Sequence, residues 1–333
     1  MTLPRKPATV QDVARLAGVS AMTVSRALNV PDKVTPDTLR RVREAVDSLG
    51  YVPNAMASGL RMSRARMVAA LLPTLTGPVF QELVESLSSA LSRLDYQLMI
   101  GQTGYDAAQE EALIRTLVQR RPDGIVFVGV VSSAKGRSLL QASKIPVVET
   151  WDLTDNPVDM LVGFSHVAIG KFVATFLYEK GHRNVAIITA DDARARARCE
   201  AFTTTFQALG GESAHSFFTK APSTLGEGRR GLATLLAKHS QITGVFCSSD
   251  SLALGASIEA KHQHLRVPER LAIIGMGDQS FAQDAQPSLT TVRLDGTRIG
   301  EIAAELMVAR AEQRPIDKRI IDVGFEMIER EST

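Results

Sequence analysis

The chain has 333 residues, 44% of them apolar and 22% charged, which is the composition of a soluble globular protein with material for two or three domains. It has no run of about 18 apolar residues and begins MTLPRKPATVQDV, so neither a membrane span nor a secretory leader is expected and the protein should remain in the cytoplasm. The net charge of +2 is unevenly divided: residues 1–66 carry eleven basic and five acidic side chains, a net of +6 that leaves −4 for the rest. A basic head on an acidic body predicts that only the head meets a polyanion.

Thr9 can cap a first helix, whose Val10, Val13, Ala14 and Ala17 recur at i, i+3, i+4 and i+7 and define one buried face. Gly18-Val19-Ser20 then breaks it: glycine permits a left-handed turn, valine plugs the core and serine caps the next helix. The second helix should bury Val24, Ala27 and Leu28, leaving Ala21, Met22, Ser25 and Arg26 on its other face. Two short helices joined by a tight glycine turn, with one face of the second left outside, form a helix-turn-helix. A third helix should start at Thr35-Pro36, pack Leu39, Val42, Val46 and Leu49 inward and end near Gly50.

The string TVQDVARLAGVSAMTVSRALN, Thr9 to Asn29, followed by GYVPNAMASGL, Gly50 to Leu60, resembles the headpiece and hinge of the LacI/GalR family. That resemblance implies that Ala21 and Met22 read base edges of double-stranded operator DNA in the major groove, with Arg26 as a further reader whose fork suits guanine. It also implies phosphate contacts from Thr9, Ser20, Thr23, Ser25, Asn29 and Thr38, which set register without reading sequence. The segment after Pro53 would be a hinge helix, from which Ala57 and Leu60 enter the minor groove and the leucine wedges into the central base step. Gly59 weakens such a helix in isolation by up to about 1 kcal/mol, so its folding would lean on DNA.

From Met67 onward MVAALLP, YQLMIG, DGIVFVG, IPVVET and DMLVGF, and then NVAIIT, GVFCSS and LAIIGM, read as strands separated by amphipathic helices. Continuous apolar strands alternating with helices mean parallel sheet covered on both faces, and their number suits two α/β lobes better than one sheet. RPDGIVF, EKGHRNVAII, SSDSLALGA and PSLTTVRLD extend the family resemblance over nearly the whole chain. The implied fold is a helix-turn-helix headpiece (1–52), a hinge and linker (53–66), and two flavodoxin-like, periplasmic-binding-protein-like lobes (67–333). The chain would cross between lobes near Phe164, Arg293 and Asp322, giving an N-lobe of 67–163 and 293–322 and a C-lobe of 164–292 and 323–333.

Open α/β sheets bind ligands at the C-terminal ends of their strands, so an effector is expected in the cleft between the lobes. The resemblance offers Val79 and Phe80 as an apolar wall, and Phe164, Ser165, His166, Arg198, Ser249, Asp250 and Asp278 as further contacts. Arg194 lies one helical turn before Arg198, so both could face the ligand while Arg196 points away. Ser165-His166 stand where relatives that bind neutral sugars often carry Asp-Asn, and Gly277 stands where an aspartate often follows the last C-lobe strand. Fewer acids beside Arg198 suit an anion. The stretch from Pro146 to His166 is similar to the gluconate-type repressors of the family, which implies a sugar acid such as gluconate or a keto-gluconate, with a neutral sugar, a phosphorylated sugar acid or a purine as the alternatives.

The competing class is an enzyme on a nucleotide-binding fold. No GxGxxG follows the first strand, and neither a GxxxxGK[ST] phosphate loop nor a GxSxG nucleophile elbow occurs. No cofactor or metal is implied: His262 and His264, two apart on a helix, point different ways, and Cys199 and Cys247 read as small core side chains. A periplasmic sugar-binding protein shares the two-lobed body but lacks such a head. One headpiece covers half a palindrome, so a homodimer is expected. The chain has no leucine heptad tail after its last strand, which speaks against a tetramer held by one.

Overall fold

Each helix of the headpiece begins on the side chain that the sequence offers as its cap. Thr9 Oγ1 accepts from the Asp12 amide while the Asp12 carboxylate accepts from the Thr9 amide, a reciprocal pair that starts α1 (Val10–Ala17). Gly18, at φ 63°, ends α1 in the left-handed conformation that costs glycine nothing. Ser20 then accepts from the Thr23 amide to start α2 (Ala21–Asn29), and Thr35 caps α3 (Pro36–Leu49) with proline in its first turn. Val13, Ala14, Ala17, Val24, Ala27, Val42 and Ala45 form the core. Leu49, expected inside, is instead 37% exposed, because Ala45 fills the core one turn earlier and the helix ends at Gly50.

The computed structural model describes residues 8–52, 65–76 and 78–333, and the chain divides into two compact units between Ala65 and Arg66. The second unit holds two six-stranded sheets. The first contains β1 (Met67–Leu72), β2 (Gln97–Gln102), β3 (Gly124–Val128), β4 (Val147–Thr150), β5 (Met160–Gly163) and β11 (Ile320–Asp322), in the order β11-β5-β4-β3-β1-β2 and parallel throughout. The second contains β6 (Asn184–Ala190), β7 (Ser213–Thr219), β8 (Gly244–Cys247), β9 (Ala272–Gly277), β10 (Thr290–Arg293) and β12 (Glu326–Ile328). Its order is β12-β10-β9-β8-β6-β7, parallel except where β12 runs against β10.

The central strands are buried on both faces, as β3, β4, β5 and β8 are along their whole lengths, which explains their unbroken apolar runs. The edge strands are less buried: β7, SAHSFFT, is half-buried or exposed up to Thr219 and carries no long apolar run, and the expected strand set lacked it. The covering helices are α4 (Gln81–Arg93), α5 (Ala107–Arg120), α6 (Ala134–Ser143), α7 (His166–Glu179), α8 (Ala193–Ala208), α9 (Leu225–Lys238), α10 (Asp250–His262) and α11 (Gly296–Ala311).

The chain passes between the sheets at three places. After β5 it enters α7, which packs on α8; after β10 it enters α11, which packs on α4 and beneath β3 to β5; and 323–325 link β11 to β12. Gly170 sets the closeness of α7 and α8. A Cβ there would stand 2.3 Å from the Arg198 carbonyl oxygen, so only glycine lets the helices approach this far. Both cysteines are free and buried. His262 ends α10 largely exposed, beside Glu259, and His264 lies past the helix at φ 56°.

Candidate functional site

The body's cleft lies where the C-terminal ends of β1, β4, β6, β8 and β9 converge, and both lobes contribute to it. Val79 and Phe80 line it as expected from the first lobe, with Thr74, Tyr105 and Trp151 beside them. His166, Asp192, Arg194, Arg198, Ser248 and Ser249 line it from the second.

A chain of ring contacts leads into the site. Phe80 meets Trp151 edge-on with centroids 5.2 Å apart, Trp151 meets Phe164 at 5.4 Å, and Phe164 meets His166 at 5.0 Å. His166 is the first residue of α7 and only 4% exposed. Its Nε2 lies 3.1 Å from the Trp151 carbonyl oxygen, and Arg198 Nη1 donates to its Nδ1 across 2.6 Å. A guanidinium only donates, so Nδ1 must be the acceptor and Nε2–H must donate to Trp151. Burial holds His166 well below the ordinary imidazole pKa, and the charges of Arg198 and Arg194 act the same way. The wall therefore presents a neutral imidazole that aims a cation.

Arg198 is itself 4% exposed, and burial lowers its pKa to about 10, which leaves it charged at neutral pH. Its Nε is buried and has no hydrogen-bond partner among the described residues. Arg194, one turn earlier, stands with its Cζ 6.0 Å from the centre of the Phe80 ring and its Nε 3.9 Å from Asp192, while its buried Nη1 has no hydrogen-bond partner among the described residues. Arg196 points away, pairing with Asp191 at 2.6 Å over the Phe218 ring. An unsatisfied buried donor on a cation costs more than an ordinary one. Both guanidinium groups line the cleft.

Four residues expected in the cleft are turned from it. Phe164 is fully buried as the link between Trp151 and His166. Ser165 is spent capping α7, accepting from the Ala168 amide. Asp250 is fully buried and accepts from Thr291 Oγ1 at 2.6 Å and the Gln279 amide at 2.7 Å, and burial pushes its pKa up to about 6. Asp278 accepts from Arg293 Nε at 2.8 Å and Arg330 Nη2 at 2.7 Å, facing the interlobe crossings. Ser249 caps α10 by accepting from the Leu252 amide, and its hydroxyl hydrogen still serves the cleft. The expectation of few acids near Arg198 also fails, because Asp152 and Asp192 act on its charge. Trp151 and Tyr105 were not singled out; their only signal is their place just past the ends of β4 and β2.

In the headpiece, Met22 is 72% exposed on α2, Ser25 and Arg26 are exposed beside it, and Ala21 is half-buried. Arg26 is bound to no carboxylate among the described residues, whereas Arg40 and Arg41 pair with Asp37. The exposed hydroxyls of Thr9 and Ser20, with half-buried Thr23 and Thr38, sit at the helix starts; Ser20 Oγ and Thr23 Oγ1 share a hydrogen bond of 2.9 Å. The Asn29 side chain, Ala57 and Leu60 lie outside the described residues. Among the described residues no helix is long and apolar enough to cross a membrane, and no three His, Cys, Asp or Glu side chains gather as a metal site needs.

A family model described as bacterial regulatory proteins, lacI family, matches residues 9–54, and one described as a periplasmic binding protein-like domain matches residues 174–333. The HTH-type transcriptional regulator GntR of Pseudomonas aeruginosa is 34% identical over 98% of this chain and 95% of its own. The crystal structure of a lacI family transcriptional regulator from Silicibacter pomeroyi has a TM-score of 0.92 at 30% identity, covering 98% of this chain and 99% of that one. A lac repressor dimer bound to operator and an anti-inducer gives 0.85 at 21% identity over 98% and 99% of the two chains, a likeness of fold alone.

Proposed function

The chain belongs to the lacI family of bacterial transcriptional regulators, and from that premise we propose that it is a cytoplasmic homodimer whose hold on a palindromic operator is switched by a sugar acid in the cleft. It is a DNA-binding regulator and not an enzyme. The observation that carries the ligand class is the pair of partnerless cationic donors, Arg198 Nε and Arg194 Nη1, in a wall where His166 is held neutral. A carboxylate satisfies both with charge-assisted hydrogen bonds. Polar groups of the same cleft, Tyr105 and Asp192 among them, suit the hydroxyls of a compound such as gluconate or a keto-gluconate.

On the DNA side Ala21, Met22 and Arg26 are assigned to base edges, and Thr9, Ser20, Thr23, Ser25, Asn29 and Thr38 to phosphates. Ala57 and Leu60 are assigned to the minor groove between half-sites. Effector binding would change the relation of the lobes and so the spacing of the two hinges, with the reciprocal consequence that operator alters effector affinity by the same factor.

The deciding experiment is thermal unfolding against sugar acids, neutral sugars, sugar phosphates and purines. A ligand bound only by the native state at a hundredfold excess over its Kd adds about 2.7 kcal/mol, a readily measured shift. Stabilisation confined to gluconate-like acids is the expected result. Stabilisation by a neutral sugar or purine alone would discard the sugar acid and leave DNA-binding regulation untouched.

A further inference from the structure

The cleft does not end at Arg194. Tyr105, Asp192 and Arg194 line both the chamber described above and a second one, which continues between the loop after β3 and Asp152. Arg194 is the partition: it reaches from α8 in the C-lobe to Gly129 at the end of β3 in the N-lobe, where its Nη1 is 3.5 Å from the position a Cβ would take. Gly129 holds φ at 116°, so the wall opposite the guanidinium is bare backbone.

Not every acid around the second chamber is available to a ligand. Glu110 already accepts from the Ser132 and Ser133 amides and the Ser132 hydroxyl, and Asp191 is paired with Arg196. Among the described residues Asp152 accepts from the Leu153 amide, and Asp192 caps α8 through the Ala195 amide. The two sides of the partition thus differ in chemistry. The deeply buried Arg198 lines only the first and Asp152 only the second, while Asp192 and Arg194 line both. Around the two chambers Arg194 and Arg198 face Asp106, Glu110, Asp152 and Asp192, with Asp191 paired to Arg196, so a negative charge is favoured only at the arginine end.

Building on the sugar-acid reading, we propose that the effector lies across Arg194, with its carboxylate between Arg198 Nε and Arg194 Nη1 and its hydroxyl tail in the second chamber, donating to Asp152 and Asp192. The site then selects a long polyhydroxy monocarboxylate. It rejects a short acid, which leaves the second chamber unused, and a dianion, whose far charge meets two carboxylates.

The test is calorimetric titration of the full-length protein with glycerate, D-gluconate and D-glucarate, repeated on Asp152→Asn. In the unaltered protein gluconate should bind about tenfold or more tighter than glycerate, and by a similar factor tighter than glucarate. In Asp152→Asn the preference for gluconate over glucarate should shrink about fivefold or more, because one opposing charge is gone. Asp192→Asn, which retains an N-cap residue, gives the same readout if Asp152→Asn fails to fold. Gluconate binding with glucarate equally tight, or a ratio unmoved by either variant, overturns the tail assignment and leaves the sugar-acid reading standing. Binding of none of the three acids overturns both.

Discussion

Arg198 Nη1 donates to His166 Nδ1 across 2.6 Å, so the imidazole that opens α7 can keep this bond only while it is neutral. Folding therefore lowers its pKa from the ordinary 6.5, and the unfolded chain binds the extra proton first. The contribution is whole above that value and is lost as pH falls through it. Asp250 acts oppositely: its pKa is raised from 3.8 to about 6, so the native state gains a proton, and relative stability, as pH falls through that lower window. Between about pH 7.5 and 6 burial of His182 and His215 acts in the same sense, and His166, held furthest below the ordinary value, adds a slope limited to about 1.4 kcal/mol per pH unit. His166→Gln should flatten the dependence of the urea midpoint on pH across that interval. Parallel pH profiles for the two proteins would mean that the pair does not govern it.

Gly170→Ala tests how the two helices set this pair. The added methyl falls 2.3 Å from the Arg198 carbonyl oxygen and 3.0 Å from the Phe202 amide nitrogen, both backbone atoms that cannot swing aside. Forcing α7 from α8 should cost about 1–3 kcal/mol and displace His166 from Arg198. Thermal unfolding and ligand titration should show both losses together. An unchanged melting temperature would contradict the close approach.

The headpiece's helix starts and stops were legible because their signals are local. Thr9, Ser20 and Thr35 are caps, Gly18 is a left-handed stop, and each acts within four residues of itself. The buried strands were legible for a similar reason, since burial on both faces writes an unbroken apolar run. Strand β7 was not, because an edge strand needs no such run. The cleft was half legible. Phe80 and Arg198 come from the family resemblance, but Asp250, offered by the same resemblance, follows a cleft-lining serine and still turns inward, because Thr291 and the Gln279 amide offer it partners there. Trp151 sits at φ 63°, a conformation no propensity predicts for a bulky side chain, and that conformation accompanies the carbonyl's role as acceptor from His166.

Arg26 is the headpiece side chain from which a loss of sequence discrimination is expected. It is exposed on the same helix as Met22 and pairs with no carboxylate among the described residues, so its fork is available to DNA. Arg26→Ala should cost about 1–3 kcal/mol on the preferred operator and much less on random DNA. Thr38→Ala should weaken both about equally. Competition binding at fixed salt separates the two patterns, and an equal loss on both DNAs from Arg26→Ala would make it a phosphate contact instead.

Asp278 offers the sharpest contrast between a residue that touches ligand and one that holds the frame. It follows Gly277 at the end of β9, close to the cleft in sequence, yet its carboxylate is bound by Arg293 and Arg330. Arg293 ends β10 just before the chain crosses into α11, and Arg330 follows β12, the strand entered by the last crossing. Arg330 also donates to the Leu289 carbonyl, so Asp278 ties the cleft loop to two of the three interlobe connections. Asp278→Ala removes the shared acceptor and leaves the largely buried Arg330 without a counter-charge, which should cost about 2 kcal/mol of stability. A ligand contact and a frame contact then diverge. As a frame residue, Asp278→Ala should leave the affinity of the DNA-free protein for its effector within a few-fold while shrinking the factor by which effector changes operator affinity, ordinarily about 5–150-fold. As a ligand contact it would instead cost about tenfold or more in effector affinity and leave that factor intact. Titrating effector with and without operator on the one variant reads both quantities, and the second pattern would return Asp278 to the cleft.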